Sequence, residues 1–157
     1  MVKIGIIGAG RMGNLHAGHL AEITDAKIAG VYDIRQEAAQ AMHEKYGAKI
    51  YPSAAELVKS PEIDGIIITS PTYCHIEAIR LAAAAQKAVF CEKPVTRTLE
   101  DAREVLGLFR KYPKIFTVGF VRRHMAKSIK LKQLLEQNLI GKLRYCNIDL
   151  PFGAFRR

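Results

Sequence analysis

The chain has 157 residues, of which 49% are hydrophobic; that is enough for the core of one domain, short for two, and incompatible with a disordered chain. No apolar run reaches the length of a membrane span, and "MVKIGIIGAG" goes straight into a strand-like pattern, so neither a membrane nor a signal peptide is expected. The net charge of +9 is one-sided, because acids and bases nearly cancel as far as Phe109 and the remainder is strongly basic. Such a tail can face phosphates, or it can be the face of a domain whose oppositely charged partner is missing. No interleaved aromatics or recognition helix accompany it, so no nucleic-acid partner is expected. Cys74, Cys91 and Cys146 include no CxxC pair, which argues against a disulfide framework or a zinc site and fits a reducing cytoplasm.

In chain order, strand-like and helix-like segments alternate. "VKIGIIG" is short and β-branched, residues 11–22 suit a helix, and "AKIAGVYD" is strand-like again. Residues 34–46 are rich in helix-forming Ala, Glu and Gln, and a short strand at 49–51 precedes a helix at 54–59. "GIIIT" is apolar throughout, as a strand covered on both faces should be. An alanine-rich helix over 76–86 leads to the strand "AVFCE". "TLEDAREVLGLFRKY" begins with a Thr98/Asp101 spacing close to a capping box and carries Ala102, Val105, Phe109 and Tyr112 on one stripe. "KIFTVGF" is a sixth strand. This grammar predicts a doubly wound α/β domain with a parallel sheet over residues 1–120. Beyond it, residues 122–137 read as a basic amphipathic helix and "KLRYCNIDL" as one more strand, the start of a second α+β domain (121–157) that is truncated.

"GAGRMG" closes the first strand and opens the first helix. Gly8 permits the tight turn, Gly10 allows backbone to approach a pyrophosphate, and Gly13 lets helix pack closely on strand. Together with Ala9, Arg11 and Met12 this forms a candidate dinucleotide loop whose helix amides face the phosphates. Asp33 ends the second strand about 20 residues after the last glycine, the position of a ribose-binding acid. A carboxylate there repels a phosphate, favouring NAD while leaving NADP possible. Arg35 either softens that repulsion and stacks on adenine or is a solvated helix-start residue.

In an open parallel sheet, ligands sit beyond the carboxyl ends of the strands where strand order reverses. Thr69, Ser70 and Pro71 lie at one such end, and Glu92 and Lys93 at the next. His75 is either a site residue or a helix residue satisfied by a local hydrogen bond. His16 and His19, three apart with no third ligand, read as surface or packing residues and not as metal ligands. Cys74 and Cys91 read as small buried hydrophobes.

"GIIGAGRMGNLHAGHL", "SPTYCHIEAI" and above all "CEKPVTRTLEDA" resemble the glucose–fructose oxidoreductase/inositol dehydrogenase (Gfo/Idh/MocA) family, and the likeness continues through "VGFVRRH" and "LIGKLRY". The resemblance implies a Rossmann domain binding NAD(P), a C-terminal domain on a mostly antiparallel sheet, and hydride transfer at a secondary alcohol or carbonyl of a sugar, inositol or related polyol. It assigns Lys93 to the substrate hydroxyl as the catalytic residue and Glu92 to shaping the nicotinamide site, with Pro94 after a cis peptide. An ammonium at Lys93 suits this chemistry, since it stabilises a developing alkoxide or relays its proton; the competing reading is a structural ion pair with Glu92. Family members are more than twice this length, and their substrate-side Asp and His match no residue here. The chain is therefore expected to be the cofactor-binding part of a cytoplasmic enzyme that is homo-oligomeric at full length, inactive alone; the alternative is a non-catalytic, dinucleotide-binding redox-sensing module.

Overall fold

Short aliphatic runs that are buried on both faces set the architecture. In "GIII" every residue is buried, so the segment can only be a central strand. The computed structural model describes residues 1–112 and 114–148 and separates into two units, Met1–Gly119 and Phe120–Arg157.

In the first unit the strands are β1 (Val2–Ile7), β2 (Ala26–Tyr32), β3 (Lys49–Ile50), β4 (Gly65–Ile68), β5 (Ala88–Cys91) and β6 (Phe116–Val118). They form one parallel six-stranded sheet in the order β3-β2-β1-β4-β5-β6. The helices between them are α1 (Arg11–Ala21), α2 (Gln36–Tyr46), α3 (Ala54–Lys59), α4 (Thr72–Ala84) and α5 (Leu99–Lys111). Successive strand side chains point to opposite faces, which divides the core. Ile6, Ile28, Val31 and Ile67 pack with Ala17 of α1 and with Ala39 and Met42 of α2. Ile7, Ile66, Ile68 and Val89 pack with Leu57 of α3, Ile79 of α4 and Val105 of α5. β1 lies between β2 and β4, so the chain leaves it in both directions, and the crevice beyond its carboxyl end is the switch point of the sheet.

Local chemistry fixes the helix ends. Ser53 and Thr98 cap α3 and α5 by accepting the backbone N–H of Glu56 and Asp101. Gly47 ends α2 in the left-handed region, at φ +69. The predicted α5 stripe faces inward through Val105, with Ala102, Phe109 and Tyr112 half-buried beside it. Arg80 of α4 grips Glu104 of α5 through two hydrogen bonds of 2.6 and 2.7 Å.

Three element boundaries differ from the sequence reading. α4 begins at Thr72 and not at residue 76, with Pro71 as its N-cap: the residue before a proline is held out of the helical region, so the helix starts directly after the strand-end turn. α2 begins at Gln36, leaving Ile34 83% exposed outside it. In the second unit, the helix predicted over 122–137 divides into a 3₁₀ turn (Val121–His124) and α6 (Ala126–Glu136), because Met125 between them is extended. The strand predicted over 142–150 does not form within 142–148, where no neighbouring strand pairs with it; Asp149 and Leu150 lie outside the described residues.

Replacing the α5 cap, Thr98→Ala, strands the Asp101 amide and should lower stability by about 1 kcal/mol in urea unfolding. An unchanged midpoint would show that the cap contributes nothing.

Candidate cofactor crevice and its lysine

The loop between β1 and α1 turns its carbonyls toward the protein. Gly8 O accepts from Thr69 Oγ1 at 2.6 Å, and Ala9 O and Gly10 O both accept from the Asn14 side-chain amide at 2.8 and 3.0 Å. Gly8 N–H is bonded to Tyr32 O and Ala9 N–H to Asp33 Oδ2 at 2.7 Å. Unlike α3 and α5, α1 has no side-chain cap and no acid in its first turn. Among the described residues, the amides of Gly10, Arg11 and Met12 therefore have no acceptor. An uncapped helix start with several free donors is a site for an anion.

Two glycines make this geometry possible. Gly8 sits at φ +100, and a Cβ on it would lie 2.6 Å from Ser70 N. A Cβ on Gly13 would collide with Gly8 O, so only glycine lets α1 approach the end of β1 this closely.

Around this helix start lies a crevice of about 730 Å³, a size suited to a cofactor. Its walls include Gly8, Gly10, Arg11, Met12, Asp33, Arg35, Thr69, Ser70 and Pro71 from the sequence-derived set. Asp33 is held in place by Ala9 N–H and by Arg35 N–H at 2.9 Å, and remaining lone pairs on its two oxygens can receive ribose hydroxyls. Arg35, 57% exposed, also reaches Asp33 through Nε at 3.5 Å. Ser70 Oγ is buried in the wall with no hydrogen-bond partner, a polar atom that a ligand would satisfy. The free amides, the oriented Asp33 and the orphaned Ser70 hydroxyl together fit a dinucleotide.

Ala9, buried with its N–H on Asp33, does not line this crevice, and neither do His75, Glu92 and Lys93. His75 is buried behind it, its Nε2 2.8 Å from Ser70 O and its Nδ1 3.0 Å from Pro94 O, so it ties the loop after β4 to the turn after β5. Glu92 and Lys93 directly follow β5, one strand beyond β4, and the Lys93–Pro94 peptide is cis. Glu92 is only 6% exposed; its Oε1 accepts from His16 Nε2 at 2.8 Å and its Oε2 from the Lys93 backbone N–H at 3.0 Å. Lys93 is exposed, and among the described residues its ammonium has no ion-pair partner. The structural pair between neighbours is thus absent: the carboxylate is engaged elsewhere and the ammonium faces solvent.

Sequence reasoning missed Asn14, whose role depends on the loop folding back over it, and the contact of His16, 76 residues from Glu92. No spacing rule links positions so far apart.

The sequence pattern of GFO_IDH_MocA, described as an oxidoreductase family with an NAD-binding Rossmann fold, matches residues 2–120. The chain belongs to this family. Among the relatives of this Gfo/Idh/MocA member, myo-inositol 2-dehydrogenase of Thermotoga maritima is 37% identical over 142 residues, covering 90% of this chain and 42% of the relative. Glucose-6-phosphate 3-dehydrogenase of Bacillus subtilis is 36% identical over 91% of this chain and 40% of its own length. Among solved structures, scyllo-inositol dehydrogenase from Lactobacillus casei with bound NAD(H) and scyllo-inositol superposes with a TM-score of 0.85 at 30% identity, over 90% of this chain and 42% of that one. The family member described here therefore spans less than half the length of these relatives. Among its described residues, no helix is long and apolar enough to cross a membrane.

Burial, and secondly the charge of Glu92, push the Cys91 thiol from 9.0 up to about 12. Only the thiolate reacts, so at about pH 8 a disulfide reagent should modify exposed Cys146 far faster than Cys91 in the folded chain, and both alike in urea. The sign for stability follows: the folded thiol holds its proton more tightly, so its contribution is intact below about pH 9 and is lost as pH rises toward 12. Equal native labelling rates would contradict this burial.

Proposed function

We propose that this chain supplies the cofactor side and the catalytic lysine of an NAD-linked dehydrogenase acting on a secondary CH–OH of inositol, a sugar or a related polyol. The observation that carries this reading is Lys93: an exposed ammonium without an ion-pair partner among the described residues, at a strand end beside a dinucleotide crevice. The names of the relatives, inositol and sugar-phosphate dehydrogenases, support the substrate class.

In this reading the amides of Gly10, Arg11 and Met12 bind the diphosphate, and Asp33 receives the adenosine ribose hydroxyls and disfavours a 2′-phosphate. Ser70 Oγ donates to the cofactor from the crevice wall, and Glu92 shapes the nicotinamide end. When bound, the nicotinamide supplies the hydride acceptor. Oxidation of a carbinol removes a hydride from carbon and a proton from oxygen. The Lys93 ammonium donates to that oxygen and stabilises the negative charge developing on it as the hydroxyl proton passes to water. No residue of the 157 matches the substrate-side Asp and His that the family resemblance calls for, so the chain alone binds NAD without turning over a polyol.

Thermal unfolding with added cofactor tests the cofactor side: a ligand at 100 times its dissociation constant adds about 2.7 kcal/mol. NAD should raise the midpoint more than equal NADP, and a larger NADP shift would overturn the role of Asp33. In any longer form that oxidises a polyol, Lys93→Met should lower kcat by about 10²–10⁴ while leaving the NAD-induced shift intact. Unchanged kcat would remove Lys93 from the chemistry.

A further inference from the structure

α1 carries two histidines that the cofactor reading does not use. His19 is exposed, but His16 is turned into the sheet, with only 14% of its side chain accessible. Its ring meets Phe90 of β5 edge-on, at 4.9 Å between centroids and 65° between planes, which fixes the direction of Nε2. A carboxylate only accepts, so at 2.8 Å from Glu92 Oε1 that nitrogen carries the proton and donates it. Room for the carboxylate is made by Gly119, where an added Cβ would lie 3.0 Å from Oε1. The other oxygen is occupied by the backbone N–H of Lys93. Glu92 is thus held through both of its oxygens, and among the described residues the Lys93 ammonium makes no ion pair with it.

We propose that His16 is a positioning residue that holds Glu92 against α1 and so keeps the Lys93 ammonium free of its neighbour's carboxylate. Without that donor, a buried carboxylate is left short of a partner and turns to the cation next to it in sequence. A lysine locked in such a pair no longer presents its amine to a hydroxyl. α1 then serves the site twice: its uncapped first turn opens onto the crevice, and five residues after Arg11 it holds the Glu92 carboxylate at the β5 end. The catalytic consequence rests on the reading of Lys93 given above, whereas the electrostatic one does not.

The test is competitive acylation of the purified chain with acetic anhydride, comparing Lys93 with exposed Lys127 in each sample by peptide mass spectrometry. Acylation needs the neutral amine, which a carboxylate partner disfavours. His16→Leu should lower Lys93 acylation relative to Lys127 several-fold. His16→Phe keeps the ring against Phe90 and removes the donor, so it should do the same if the leucine variant does not fold. His16→Gln, which restores an N–H donor, should recover the wild-type ratio, as should the double variant His16→Phe/Glu92→Gln. An unchanged ratio in the folded His16→Leu and His16→Phe proteins would overturn the proposal. A loss that persists when Glu92 is neutralised would overturn it too, since the effect would then be packing. This readout needs no turnover, so it is separate from any failure of Lys93 as the catalytic group.

Discussion

The first turn of α1 lies so close to the end of β1 that a single methyl group on Gly13 would run into Gly8 O. That approach creates the conditions on which the crevice depends. It brings Asn14 over the loop to collect the carbonyls of Ala9 and Gly10, and it sets Thr69 against the carbonyl of Gly8. With these carbonyls engaged, and the amides of Gly8 and Ala9 bonded to Tyr32 and Asp33, the amides of Gly10, Arg11 and Met12 are the ones left without an acceptor among the described residues. A helix whose start is neither capped by a side chain nor followed by an acid then holds its partial positive charge in reserve for an anion. α5 contrasts with it: Thr98 accepts the Asp101 N–H, and Glu100 and Asp101 both stand in its first turn, where their charge opposes a phosphate.

A second constraint concerns charge. Burying a carboxylate without partners is expensive, and Glu92 is 6% exposed. Two outcomes could satisfy it: an ion pair with Lys93, or donors from elsewhere. The structure uses His16 and a backbone amide, and the ammonium remains in solvent. The same strand end therefore holds a fixed anion and an available cation in consecutive residues. His75 sits between the Pro94 carbonyl, in the turn that follows Lys93, and the Ser70 carbonyl after β4.

The cofactor half of this arrangement was legible in the sequence because its determinants are local. A glycine loop between a strand and a helix, and an acid closing the next strand, are spaced by the βαβ unit itself. What the sequence did not show depends on distant contacts or absent neighbours. His16 read as a packing residue, since nothing near it in the chain points to Glu92, and Asn14 acts on carbonyls that only the folded loop brings together. The alanine-rich pattern from residue 76 marks α4, but the helix already begins at Thr72, directly after its N-cap Pro71. The strand expected after residue 141 has β-forming residues, but a strand needs a partner to satisfy its backbone, and none pairs with residues 142–148.

The most direct measurement is an amide-resolved NMR titration of the ¹⁵N-labelled chain with NADH. If the uncapped start of α1 receives the diphosphate, the largest shifts fall on the amides of Gly10, Arg11 and Met12, with Ser70 and Asp33 following. Saturable binding that left those amides unmoved, with the shifts concentrated on the basic segment beyond residue 120, would contradict the account at its root.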